Sequence, residues 1–326
     1  MPKPRKDYIN LTATPYYHCI SRCVRRAYLC GKDTLTGQCY EHRRQWIEDR
    51  ILFLAQYFAI DICSFAVMSN HIHLVLCVDV EKCKKWTTDE VLQRWHKIYK
   101  GAPITQKYMQ GENLNPIELD ALSDYIEKYR SRLQDISWFM RALNEPIARK
   151  ANTEDKCTGH FWEGRFKSQA LLDDTAVLTC MAYVDLNPIR AQKAKSLEDS
   201  DHTSIQMRVK AAMRGQQPES LKPFKASTSD LVSNTFNFDL KDYLELVDAT
   251  GRIIREDKKG ALSEKETKIL TQIKLSTTQW ISLNRCFEST FKGAVGRVKK
   301  LTAFYHKQNY KNRVGITASQ RYLEAG

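Results

Sequence analysis

Apolar positions change period along this chain, and the changes outline its elements. YYHCISR (16–22) reads as a short strand. In YEHRRQWIEDRILFLAQYF (40–58), Ile47, Ile51, Leu54 and Phe58 recur at three- and four-residue steps, which predicts a helix with one apolar face. AIDICSFAVM (59–68) and HIHLVLCVD (71–79) are β-rich runs joined across Ser69-Asn70, the pattern of a hairpin. A charged, mostly helical stretch follows over 80–137, punctuated by Gly101–Pro103 and Gly111–Pro116. DISWFMRALNE (135–145) predicts a further helix, with Pro146 as a kink or as the first turn of a new one. GHFWEGRFKSQALLD (159–173) reads as a loop entering a strand. DTAVLTCMAYVDLNP (174–188) reads as an amphipathic helix with an acidic N-cap, stopped at Asn187-Pro188.

The sum, β-α-β-β-helices-β-α, is an α+β pattern of antiparallel strands covered by helices. Residues 1–195 are expected to form one domain with a helical insertion at about 80–137. A linker bearing Ser, Lys, Gln and Pro is expected over 196–235, and 236–326 reads as a separate basic helical region.

Composition narrows the function class. No run of the 326 residues approaches the roughly 18–20 consecutive apolar positions of a membrane span. The basic start, MPKPRKDYINLTA, is not followed by the apolar run of a secretory signal. Ten scattered cysteines without a CxxC fit a reducing cytoplasm and argue against a zinc ribbon, although His18 with Cys19, Cys23, Cys30 and Cys39 could bind zinc irregularly. The net charge is +13, and residues 251–326 alone hold 16 Lys/Arg against 6 Asp/Glu, or +10. Charge so concentrated suggests a polyanionic partner, most often nucleic acid.

Two histidines stand out in MSNHIHLVL (68–76). Alternate residues of a strand share a face, so His71 and His73 project together while Ile72 and Leu74 point the other way. Two imidazoles so placed can share a divalent cation if a third ligand arrives from another element. They can also be core histidines, each satisfied by hydrogen bonds.

NHIHLVL resembles the His-hydrophobe-His motif of HUH single-strand endonucleases, within the branch called REP-associated tyrosine transposases. The resemblance extends to PYYHCISRCVRRAY (15–28), GHFWEGRFKSQALL (159–172) and YVDLNPIRA (183–191), and covers about residues 10–195. It implies a ferredoxin-like antiparallel sheet with covering helices, usually dimeric, and Mg²⁺ or Mn²⁺ on His71 and His73. It further implies a tyrosine that attacks a single-stranded DNA phosphodiester, leaving a 5′-phosphotyrosine and a free 3′-OH. The expected activity is binding of a DNA hairpin with nicking or strand transfer, in a cytoplasmic, nucleoid-associated setting. The alternative is a non-catalytic hairpin-binding regulator derived from such a transposase.

One departure bears on the chemistry: Pro146 or Ile147 stands where the resemblance places the nucleophilic tyrosine. Tyr125 and Tyr129, nearby on a helix, become the candidate nucleophiles; a metal-activated water is the other route. Glu145 is the expected third ligand for a hard cation. For DNA, Arg22, Arg25 and Arg26 follow the first strand. Trp162, Arg165 and Lys167 supply an aromatic face and two cations, with Phe166 expected in the core. Arg190 could meet phosphate, and Arg297, Lys299 and Lys300 mark the basic tail, where aromatics interleave with cations.

Overall fold

The computed structural model describes residues 9–24, 29–33, 37–225, 235–255, 262–308 and 313–324. Its elements are β1 (Tyr16–Arg22), α1 (Arg43–Tyr57), β2 (Ile60–Val67), β3 (His71–Val78), α2 (Val80–Lys85), α3 (Thr88–Ile98), α4 (Pro103–Met109), α5 (Pro116–Leu133), α6 (Ile136–Glu154), β4 (Lys167–Leu171) and α7 (Asp174–Asp185). After these come α8 (Asn187–Arg190), α9 (Ser204–Ala212), β5 (Phe224–Lys225), β6 (Phe236–Asp239), α10 (Leu240–Ile254), α11 (Glu264–Gln272), α12 (Thr277–Thr290), α13 (Val298–Lys307) and α14 (Ile316–Leu323). None of the described helices is long and apolar enough to cross a membrane.

Four strands form one sheet in the order β2-β3-β1-β4. β1 runs antiparallel to both β3 and β4. With α1 between β1 and β2, this is the ferredoxin-like α+β arrangement expected above. The register places Arg22 opposite His71, Ile20 opposite both His73 and Lys167, and His18 opposite both Val75 and Gln169. Opposed residues share a face, so His18, Arg22, His71, His73, Lys167 and Gln169 lie on one side of the sheet.

The chain divides into two compact units, residues 1–48, 62–77 and 162–326 in the first and 49–61 and 78–161 in the second. The core of the first gathers Val75, Cys77 and Leu171 of the sheet with α7, and with Tyr243, Trp280 and Phe287 of the C-terminal helices. The region expected to stand apart over 236–326 is therefore part of this core. Its apolar stripes are too rich to leave in water: Trp280, Leu283 and Phe287 of α12 are all fully buried. α7 is likewise not amphipathic, because every residue from Thr175 to Asp185 is buried. Its cap is Asp173, which accepts from the Ala176 N–H.

The described part of the expected linker, 196–225, is also structured. α9 lies within it, and Arg208, Lys222 and Phe224 are fully buried. Arg208 donates to the carbonyls of Cys63 and Lys222 at 3.0 Å. Asp185, buried on α7, accepts from Ser64, Ser204 and Tyr243 at 2.8, 2.6 and 2.6 Å. This polar cluster ties the "linker" to the sheet through groups that composition alone marks as solvent-loving.

The second unit is the helical insertion. Capping boxes open α3 (Thr87 with Glu90) and α5 (Asn115 with Glu118). Pro103 and Pro116 occupy first-turn positions after left-handed Gly101 and Gly111. A Cβ at Gly101 would strike the His96 ring at 2.4 Å. Pro146 sits inside a continuous α6 and neither ends nor restarts the helix.

Candidate functional site

The histidine face of the sheet is deeper than a groove floor. His73 and His18 are essentially fully buried, while His71 is half-buried at the strand end. The rings of His18 and His73 stack 5.2 Å apart, and those of His71 and His73 meet edge to face at 4.7 Å. Tyr183 of α7 closes on His73 at 6.1 Å between centroids, and Phe287 of α12 packs on both His18 and Tyr183. The surroundings are aromatic, and they come from β1, β3, α7 and the C-terminal α12.

Hydrogen bonds decide which ring nitrogens carry protons. Gln169 Nε2 meets two carbonyls, Phe291 O at 3.0 Å and Gly293 O at 2.6 Å, so it must be the amide nitrogen. Gln169 Oε1 then faces His18 Nδ1 at 3.4 Å, which makes that nitrogen the donor. Burial pushes the His18 imidazole down to about 4, so it is neutral near pH 7 and its Nε2 is a bare lone pair. His18 Nε2 lies 2.9 Å from His73 Nδ1, which must therefore donate. His73 Nε2 is left as a lone pair, buried and without a partner. With the Asn70 amide as oriented, its Oδ1 accepts from His71 Nδ1 and leaves His71 Nε2 bare as well.

Both imidazoles thus present the tautomer a cation requires. They are also held neutral: burial lowers His71 to about 4 and His73 well below its ordinary value, with His18, Arg22 and Arg190 adding repulsion. Glu288 of α12 opposes the shift at His71. Its Oε2 lies 3.5 Å from the Tyr183 hydroxyl. The Arg190 guanidinium sits over the Tyr183 ring at 3.8 Å and donates to the Tyr183 carbonyl at 3.1 Å. An uncompensated buried lone pair costs about 1–3 kcal/mol.

The other expected residues fall in several places. Tyr125, Tyr129 and Glu145 belong to the second unit. Tyr129 is a packing residue, stacked on Trp95 at 4.3 Å with its oxygen accepting from the Ala102 N–H at 2.8 Å. Tyr125 lies half-buried beside it on α5, with Lys128 over its ring. Both oxygens of Glu145 are taken by Arg141 and Arg149, its neighbours one turn away on α6. Among the described residues no three His, Cys, Asp or Glu side chains cluster to hold a metal, so the irregular zinc site of His18 and the cysteines is not assembled. Spacing along the helix explains Glu145: an acid four residues from an arginine on either side is already an i,i+4 ion pair.

Arg22, Arg165 and Lys167 are exposed, and Arg22 and Lys167 share the histidine face by register. The WEGR segment joins the end of β1 through a Cys23–Trp162 bridge and a bond from Glu163 N to Arg22 O at 2.8 Å. Trp162 is half-buried, and Phe166 is in the core as expected. Arg25 and Arg26 lie outside the described residues. The backbone N–H of Arg297 donates to Asp173, and its guanidinium donates to the Ile273 carbonyl, which orients the cation. Lys299 and Lys300 are exposed on α13.

Gln169, Tyr183 and Glu288 escaped the sequence reading as members of the site, and His18 was singled out only as a ligand of an irregular zinc site. His18 lies in YYHCISR, where alternation puts it on the face opposite Tyr17 and Cys19, a usable signal. Glu288 carries no local signal, since α12 reaches the sheet through tertiary packing alone.

No protein-family model matches this chain, and no curated protein does. A solved structure of a REP-associated tyrosine transposase bound to a REP hairpin aligns with 73% of this chain and 100% of its own, at 12% sequence identity and a TM-score of 0.38.

Proposed function

We propose that this protein binds a DNA hairpin and cleaves its single-stranded flank with the help of a divalent cation held by His71 and His73. The observation that carries the reading is the buried, unpartnered His73 Nε2, with His71 next to it on the same face of the sheet. Two neutral imidazoles suit Mn²⁺ better than Mg²⁺, which prefers oxygen donors. The remaining positions would be taken by water and phosphate oxygens. Such a cation polarises a phosphodiester and offsets the charge that develops on its oxygens.

The chain's own residues supply the rest. Arg22 and Arg190, close enough to act on His71, neutralise phosphate charge. Cleavage also needs a nucleophile. Tyr183 is the phenol beside the histidines, and Glu288 is positioned to take its proton. In that route the phenolate oxygen bonds to phosphorus as the P–O3′ bond breaks, and the 3′-oxygen leaves as a hydroxyl once protonated. Burial raises the Tyr183 pKa, which works against this route, while Arg190 partly offsets it. Attack by water instead gives a hydrolytic nick with no protein–DNA adduct. A non-catalytic hairpin binder is the second reading, favoured by the lack of a cluster of three His, Cys, Asp or Glu side chains among the described residues.

The test uses the full chain with synthetic hairpin oligonucleotides and Mn²⁺. His71→Ala and His73→Ala are expected to abolish the bound-Mn²⁺ electron paramagnetic resonance signal and to lower cleavage about 100-fold, the scale of a disrupted metal shell. Unchanged cleavage in both variants removes the metal from the reading. Hairpin binding without cleavage in the parent chain selects the non-catalytic reading. An adduct that disappears in Tyr183→Phe assigns the nucleophile.

A further inference from the structure

Arg190 faces a second feature that the histidine site does not use. Beside it lies a cavity of about 680 Å³, floored by Ile189 and Ile254 and walled by Arg190, Lys195, Arg255 and Arg285. No acidic side chain is among its described lining residues. The Arg190 and Arg285 guanidinium groups are positioned by backbone carbonyls, which orient a cation without cancelling its charge. Arg190 Nη1 donates to Tyr183 O and Asn284 O, both at 3.1 Å. Arg285 donates to Ile253 O at 3.3 Å, and Arg255 to the Lys195 carbonyl. Arg190 Nη2 is buried and has no partner.

Arg190, Lys195 and Arg285, brought to one wall, repel each other unless an anion joins them. Two of the three are arginines, whose planar forks match the oxygens of a phosphate. The volume lies in the range of sites that take a nucleotide-sized group. Arg190 reaches both this cavity and Tyr183 of the histidine site, so the two are neighbours within one unit. The cavity is built from the α8 region and from α10 and α12.

We propose that this cavity is a phosphate subsite that seats backbone phosphates of the nucleic-acid strand next to His71 and His73. It rests on the nucleic-acid reading given above, but not on cleavage or on the cation.

The experiment measures hairpin binding by the full chain across a salt series. Arg285→Ala and Lys195→Ala, both at exposed positions, are compared with Lys268→Ala on α11, which removes one charge away from the cavity. Each cavity variant should weaken hairpin binding about tenfold, the scale of one charged hydrogen bond. Each should also flatten the plot of log K against log salt by about one. Lys268→Ala should do neither. Arg285→Lys should restore the salt slope, and unchanged thermal melting shows that each variant is folded. A parallel arm titrates inorganic pyrophosphate and a nucleoside triphosphate. Tight hairpin binding that is indifferent to all cavity variants overturns the subsite and leaves the nucleic-acid reading standing. A parent chain that binds no hairpin overturns that reading and the strand subsite with it. Pyrophosphate or triphosphate binding lost in the cavity variants, with hairpin binding unaffected, overturns the strand as the source of the phosphate.

Discussion

At the residue scale, the histidine site depends on an amide with no charge of its own. Gln169 is pinned by two carbonyls of the 291–293 segment, and through His18 it dictates that His73 keeps its proton on Nδ1. Replacing it with leucine removes the acceptor for His18 Nδ1–H and frees both rings to exchange tautomers. Long-range ¹H–¹⁵N spectra of the imidazoles should show His73 as the pure Nδ1–H form in the parent chain and as a mixture in Gln169→Leu. A pure Nδ1–H form in both would mean that some other contact sets the tautomer. The same scale explains the fate of Tyr129 and Glu145. Tyr129 is engaged by Trp95 and by the Ala102 N–H, both distant in sequence, whereas Glu145 is engaged by Arg141 and Arg149 at a four-residue spacing that the sequence displays.

At the element scale, the decisive finding is that α12 covers the sheet face next to α7. Trp280 is fully buried, and its indole N–H donates to the Thr250 hydroxyl at 2.8 Å, joining α12 to α10. Trp280→Ala should cost about 3–5 kcal/mol in urea unfolding, the range for emptying an aromatic core position. A chain ending at residue 235 should lose cooperative unfolding, because α7 would present an apolar surface to water. A truncated chain that melts cooperatively would restore the view of a separate C-terminal region. Strands and helices themselves were largely legible. The hairpin, the 47/51/54/58 helix face and the breaks at Gly101 and Gly111 follow from period and turn chemistry. α7 was misread because its outer face, although it carries Thr, Cys, Tyr and Asp, is buried under helices that come a hundred residues later.

At the scale of the whole molecule, three lowered imidazoles make stability depend on pH. As pH falls below about 6.5, the unfolded chain binds protons on His18, His71 and His73. The folded chain resists until about 4 for His18 and His71, and lower still for His73. More protons on the unfolded state means stability rises with pH across that window and is lost as pH falls through it. Arg22 and Arg190 widen the window at His71 and Glu288 narrows it. Urea unfolding in chelator should therefore give a lower free energy at pH 4.5 than at pH 7. The double variant His71→Asn, His73→Asn should show a shallower dependence, whatever its absolute stability. Equal slopes would place the acid sensitivity in the carboxylates instead.

The linear chain determined its α+β class, the hairpin that carries His71 and His73, and the excess of positive charge, because each depends on period, turn chemistry or composition. Tertiary structure alone decided that Gln169 and His18 set the histidines' protons, that Glu288 and Arg285 arrive from the C-terminal helices, and that Tyr129 is a core aromatic. Contacts between residues far apart in sequence are selected by packing and desolvation of the whole fold, and neither leaves a local imprint on the residues involved.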